Sequence, residues 1–319
     1  MYRQCLQKLQ QMTSIGNNSL CACTGSRRKL ALDSQSEPAV DPITIDKRDK
    51  VTLIGLNRPG SRNAVNRDMA RQLTVAFMAF EQDTSSNVAV LHGKGDHFCA
   101  GYDLKELAHS DSDGSPLDEE TLAHLHNVNG AMGAKFLYSS ELQRTIEGPT
   151  RLHIRKPVIA AVNGYGVAGG LELALLCDLR VFEKSTIVGA FNRRFGVPLI
   201  DGGTVRLPAL VGLSNALDLI LTGRSIDSEE ALKIGLANRV AEDGEALSVA
   251  VNLAKEISQH PQMSLRADRD STYNATFNSA CKKDSLDYEL NNALDVIVHE
   301  AVAGAKRFEE GEGRQGVAL

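Results

Sequence analysis

The stretch that most limits what this chain can fold into is "KPVIAAVNGYGVAGGLELALLCDLRVF", residues 156–182. "KPVIAAV" is an unbroken apolar run of strand length, which suits a strand buried on both faces. A glycine-rich turn follows, then a leucine-rich helix, then "DLRVF" as a second strand. Strands alternating with helices call for βαβ-type units inside an α/β core. The rest of the chain repeats the theme. "ITIDKRDKVTLIGLN", residues 43–57, alternates around a charged centre and predicts a β-hairpin. "RDMARQLTVAFMAFEQD" puts Met69, Leu73, Ala76, Phe77 and Phe80 on one helical face. "VAVLHG", residues 88–93, is a short apolar strand, and "DLKEL" begins a helix with Asp103 and Glu106 spaced as a capping box. Residues 117–148 suit a helix, and from Ser214 onward the pattern is nearly all helical. No internal repeat is present.

Glu172 sits inside the helix of the opening stretch, with Leu171, Leu173, Leu175 and Leu176 around it. An ionised carboxylate is costly in such a place unless something pairs with it or it keeps its proton. Desolvation raises its pKa toward neutrality, where a carboxyl can both take and return a proton. A polar residue facing solvent from an amphipathic helix is the plainer alternative, and leucines on every side argue against it. Gly169 and Gly170 precede this helix, so their N–H groups lie at its positive end. A second glycine loop, "HGKGDHFCAGYDL", places Ala100 and Gly101 just ahead of another helix start. It lacks the third glycine and the acidic partner of a dinucleotide fingerprint. It fits either a tight turn or a second site where free N–H groups meet a polarised carbonyl. Two such loops and one desolvated carboxylate make an oxyanion hole with an acid/base residue.

Hydrophobic residues make up 42% of the 319 and charged ones 24%, ordinary values for a globular chain with a sizeable core. The net charge of −5 gives no reason to expect a nucleic-acid partner, and no apolar run spans a bilayer. The six cysteines lack the paired spacing of zinc or redox motifs, and Cys99 and Cys177 read as small core residues. His92 and His97 form no spaced set of metal ligands, so no metal is expected. A Cys99–His97 nucleophile and base is the one pairing the spacing allows. Residues 1–32 carry Arg3, Lys8, Arg27, Arg28 and Lys29 and no acid, and are rich in Ser, Gln and Asn. That composition fits a mitochondrial transit peptide, with a tail carrying no address as the alternative.

Four segments together resemble the crotonase superfamily, the enoyl-CoA hydratases, isomerases and their relatives. They are "LNRPGSRNAVN", "HFCAGYDLKEL", "KPVIAAVNGYGVAGGLELALLCD" and "GGTVRLPALVGLSNALDLILTGRSIDSEEALKIGLANRV", in the family's order over roughly residues 43–313. The resemblance implies a spiral of ββα units over residues 43–260 and a helical trimerisation region over 261–319, as a homotrimer or dimer of trimers. It implies that the N–H groups of Ala100 and Gly169 hold the thioester oxygen of an acyl-CoA. Ala100, Gly101, Tyr102 and Asp103 would line the thioester and CoA site, and Gly60, Ser61 and Arg62 would lie along the CoA. Asp103 is equally a helix cap. Phe308 matches an aromatic that packs on CoA from a neighbouring subunit, or it is an ordinary core contact. CoA would enter as part of the substrate, with no separate cofactor.

The chain departs from the family at one catalytic position. Hydratases of the family hold a water between two glutamates, and Glu172 matches the first. In "FNRRFGVPLIDGGT" the second position falls on Asn192, whose amide can orient water but carries no proton. Asp201 stands where the dienoyl-CoA isomerase branch has an aspartate and could supply the missing carboxylate, or it caps a helix opening at Gly202. Arg193 and Arg194 could neutralise a carboxylate or a CoA phosphate, or stay solvated. The resemblance therefore implies a 2-enoyl-CoA hydratase of fatty-acid or branched-acyl catabolism, with double-bond isomerisation as the alternative. Hydrolysis or decarboxylation on the same scaffold, and a non-catalytic relative that binds acyl-CoA or RNA, stay open.

Overall fold

The computed structural model describes residues 41–105 and 149–312. The transit-peptide expectation, Glu106 and the helix expected at 117–148 lie outside the described residues. Strand β1 (Ile43–Arg48) pairs antiparallel with β2 (Val51–Leu56), as the alternation predicts. Helix α1 (Arg67–Gln82) is capped by Asn66, whose side chain accepts from the Met69 N–H. Next come β3 (Val88–Gly93), β4 (Val158–Val162), β5 (Tyr165–Val167), α2 (Gly169–Leu176), β6 (Leu179–Glu183) and β7 (Ile187–Gly189). The order strand, strand, helix recurs in β1β2α1 and in β4β5α2, the ββα unit the family resemblance implies.

A six-stranded sheet runs β1-β2-β3-β4-β6-β8, with β8 at Arg239–Ala241, and all pairs beyond the first are parallel. Helices cover both faces, and β2 and β4 are buried at every position. Ile54, Leu56, Ala89, Leu91, Val158 and Ala160 meet α1 and α2 on one face. Val51, Leu53, Val88, Val90 and Ile159 meet α6 (Ala246–Gln259) on the other. Alternate residues of one strand thus serve two cores, which is why "VIAAV" shows no polar period.

In chain order, α3 (Gly203–Val211), α4 (Leu213–Thr222) and α5 (Ser228–Lys233) come between β7 and β8, ahead of α6. After α6 come α7 (Gln262–Phe277), α8 (Lys282–Val296), a π-helical turn and α9 (Val302–Glu310), the expected C-terminal helical region. Strand β8 corrects the nearly all-helical expectation after Ser214. Its three residues are too few for a periodic signal, and pairing with β6 decides their conformation. Among the described residues no helix is long and apolar enough to cross a membrane.

Candidate active site

A second, two-stranded sheet sets up the site. Strand β5 pairs with β7, and on its other side the loop 98–101 adds itself: the Cys99 N–H donates to the Tyr165 carbonyl at 2.9 Å and the Val167 N–H to the Cys99 carbonyl at 3.0 Å. The two glycine loops of the sequence therefore lie side by side. Their approach explains the glycines. A Cβ on Gly170 would stand 2.1 Å from the Cys99 carbonyl oxygen, and one on Gly101 would stand 2.9 Å from the Gly169 nitrogen. Buried Asn63 fixes the third loop, donating from Nδ2 to the carbonyls of Lys94 and His97 at 2.9 and 2.6 Å.

Helix α2 follows from the apolar sequence and is buried on every side, so Glu172, only 3% exposed, has no route to bulk water along its own helix. Its Oε1 accepts two backbone hydrogen bonds, from Asp201 N–H at 2.9 Å and Gly203 N–H at 2.8 Å. Burial, and then the charge of Asp201 beside it, push its pKa up to about 7, against the pull of those two N–H groups and of Arg206. Gly203 is as tightly determined as the loop glycines, since a Cβ there would lie 2.9 Å from Glu172 Oε1.

Asp201 is buried and accepts from Thr150 Oγ1 at 2.8 Å. It does not cap α3. That position belongs to Gly202, whose φ of 97° suits glycine, and no side chain caps the helix there. Arg206 closes the arrangement by donating to the carbonyls of Asp201 and Thr150 at 3.2 and 2.7 Å.

A cavity of 380 Å³ gathers these groups. Its wall includes Ala100, Gly169, Glu172, Asn192 and Asp201, with Arg62 and Tyr102 of the predicted CoA set. Asn192 is buried, donates from Nδ2 to the Val197 carbonyl at 2.8 Å, and keeps Oδ1 without a partner. The Gly169 N–H donates to no described residue. The Ala100 N–H donates to the Arg62 carbonyl at 3.0 Å.

Other predicted site residues fall outside the cavity wall. Gly60 and Ser61 are exposed on the short turn Pro59–Ser61. Gly101 serves the contact between loops. Asp103 pairs with Arg58 at 3.0 Å and accepts from the Lys105 N–H at 3.2 Å, which is the helix-cap reading. Phe308 is 59% exposed on α9 and does not line the cavity. Cys99 is no nucleophile: it donates to the Asn63 carbonyl, and burial pushes its thiol up to about 12. His97 Nδ1 accepts instead from the Tyr165 N–H at 3.3 Å. Among the described residues no cluster could hold a metal. Thr150 and Arg206 carried no local signal in the sequence, because their partners lie far off in the chain or in its backbone. Tyr165 and Phe191, also on the wall, gave none beyond being aromatic.

The sequence profile of the family described as enoyl-CoA hydratase/isomerase matches residues 46–131 and 140–314. The chain belongs to this family. Relatives include a short-chain-enoyl-CoA hydratase of Clostridium acetobutylicum, 31% identical over 72% of this chain and 80% of its own. A 2,3-dehydroadipyl-CoA hydratase of Escherichia coli is 34% identical over 72% of this chain and 80% of its own. A crystal structure of a probable enoyl-CoA hydratase/isomerase from Mycobacterium abscessus superposes with a TM-score of 0.70 at 32% identity, covering 87% of this chain and all of that one. The fold is therefore the crotonase-type α/β fold, and the chain is a hydratase-like enzyme of its family.

Proposed function

We propose that this enzyme adds water across the double bond of 2-enoyl-CoA thioesters, with Glu172 as the acid/base residue. The observation that carries the reading is a buried carboxyl with pKa near neutrality on the wall of the same cavity as an unengaged helix N-terminal N–H. The Gly169 N–H, joined by that of Ala100, would hold the thioester oxygen as enolate charge develops on it. The Ala100 N–H must then be shared with, or released by, the Arg62 carbonyl. One such donor contributes on the order of 3 kcal/mol to lowering the barrier. Glu172 takes a proton from water as the water oxygen bonds to Cβ, and its carboxyl then returns that proton to the enolate at Cα. The Asn192 amide oxygen can accept from that water, and Asp201 is the second carboxylate within reach of proton traffic. No separate cofactor enters this chemistry.

Incubating residues 33–319 with a short 2-enoyl-CoA, following the conjugated thioester absorbance and product mass, tests the reading. Gain of one water that vanishes in Glu172→Gln supports it, and silence with the wild-type protein overturns it. Asn192 favours a second reading. With an amide at the second glutamate position, a single carboxyl shuttling a proton between carbons would make the enzyme an isomerase, and conversion of a 3-enoyl-CoA without water gain would establish that.

The composition of residues 1–32 supports import into the mitochondrial matrix, and the reaction would then serve fatty-acid or branched-acyl breakdown. Retention of a reporter in the cytosol when fused behind that segment would remove this part of the reading.

A further inference from the structure

The cavity wall carries two guanidinium groups, Arg62 and Arg194, and neither has a carboxylate partner among the described residues. Arg194 is braced in place. Its Cζ lies 3.6 Å from the centroid of the Phe191 ring, while Nε and Nη2 donate to the Gly223 carbonyl at 3.3 and 3.0 Å. Gly223 ends α4, so that carbonyl is one the helix leaves unpaired and at its negative pole. These contacts alone would make Arg194 a helix cap. They use one edge of the guanidinium, however, and the remaining N–H groups, Nη1 among them, stay free to form a fork toward a ligand. A stacked, tethered arginine has already lost the side-chain freedom that binding would otherwise remove.

The two cations come from different segments of the lining. Arg62 stands beside the Ala100 loop, its carbonyl on the Ala100 N–H and its guanidinium 5.6 Å from the Tyr165 ring centroid. Arg194 stands on the wall built by Phe191, Asn192, Phe195, Val197 and Pro198. A thioester whose oxygen reaches Ala100 and Gly169 sends its CoA one way and its acyl chain the other. With the phosphates taken by Arg62, beside the Ala100 loop, Arg194 would be left to the acyl end. Glu172 and Asp201 repel any anion entering that cavity, so a ligand with an anionic acyl end needs a fixed cation to offset them.

On the acyl-CoA reading above, we propose that Arg194 binds a carboxylate at the far end of the acyl chain, so that the preferred ligands are CoA thioesters of dicarboxylic acids. The pairing is the bidentate guanidinium–carboxylate fork.

Binding to the full chain, measured by calorimetry with saturated thioesters that cannot be hydrated, tests this apart from turnover. The probes are butanoyl- to octanoyl-CoA, each against its ω-carboxyl counterpart, butanedioyl- to octanedioyl-CoA. At one chain length the carboxyl form should bind at least about tenfold tighter to wild type. That ratio should fall to near one in Arg194→Met and lie between the two in Arg194→Lys, whose ammonium keeps the charge without the fork. A ratio near one at every length in wild type overturns the proposal, as does a ratio that Arg194→Met leaves intact. If Arg194→Met instead weakens free CoA as much as the dioyl thioesters, the guanidinium reads a CoA phosphate and the proposal also falls. A preserved ratio in wild type with no hydration of any 2-enoyl-CoA would overturn the hydratase reading and leave this one standing.

Discussion

Glu172 is held in a state that costs stability and supplies chemistry. Its pKa rises from 4.5 in the unfolded chain to about 7 in the fold, so the native state holds a proton that the unfolded state releases between those values. The protonated form's contribution is fully present below about pH 4.5 and is lost as pH rises through about 7, a loss of about 3 kcal/mol. Glu172→Gln keeps an Oε1 acceptor for the Asp201 and Gly203 N–H groups and has no charge to desolvate. The variant should therefore melt higher than wild type at about pH 8, with the gap closing at about pH 5, as followed by calorimetry. Activity should have the opposite pH sense, because the base must be ionised: kcat/KM for hydration should rise with pH through about 7 and then level. A wild-type profile flat from about pH 5 to 8 would contradict the desolvated carboxyl.

At the scale of elements, the turn entering α3 does most to set the site. The turn at Gly202 brings the N–H groups of Asp201 and Gly203 onto Glu172, and Thr150 and Arg206 tie the same turn to the residues before β4. Thr150→Val keeps the shape and removes the Asp201 partner, leaving a buried carboxylate short of one hydrogen bond. It should cost about 1–3 kcal/mol in denaturant unfolding and lower kcat more than it raises KM. Arg206→Met removes the cation that holds Glu172 down, so the pH midpoint of kcat/KM should move upward. A midpoint that stays put would separate Arg206 from the proton balance. Much at this scale was legible beforehand. The apolar run and leucine helix around Glu172 state their own burial, and the glycine pairs mark the loops that converge. The role of Asp201 was not legible, because a favoured capping residue beside two glycines looks like a cap until the φ of Gly202 is known. Nor could spacing show that Thr150, 51 residues before Asp201, donates to it.

Across the whole molecule, the described surface keeps apolar side chains that a monomer has no reason to expose. Leu213, Leu217 and Leu221 recur along one stripe of α4 and are 68%, 42% and 67% exposed. Leu286, Leu290 and Leu294 form a second stripe on α8, continued by Ile297 and Val298. The sequence showed these helices but not which face lay uncovered, because an amphipathic period looks the same whether the apolar side meets its own chain or another. Apolar surface of this kind is a candidate interface. Closed cyclic assembly, the trimer expected from the family resemblance, would cover both stripes by pairing unlike patches around an axis. The double substitution L217E/L221E places charges on the α4 stripe without touching the core residues Ala216 and Leu219. Light scattering should show wild type as a trimer or a multiple of it and the variant as a smaller species. Its far-ultraviolet circular dichroism should remain that of the wild type. An unchanged mass would remove the α4 stripe from the subunit interface. A lost fold would mean that these leucines stabilise the protomer itself, and the α8 stripe would then be the one to charge.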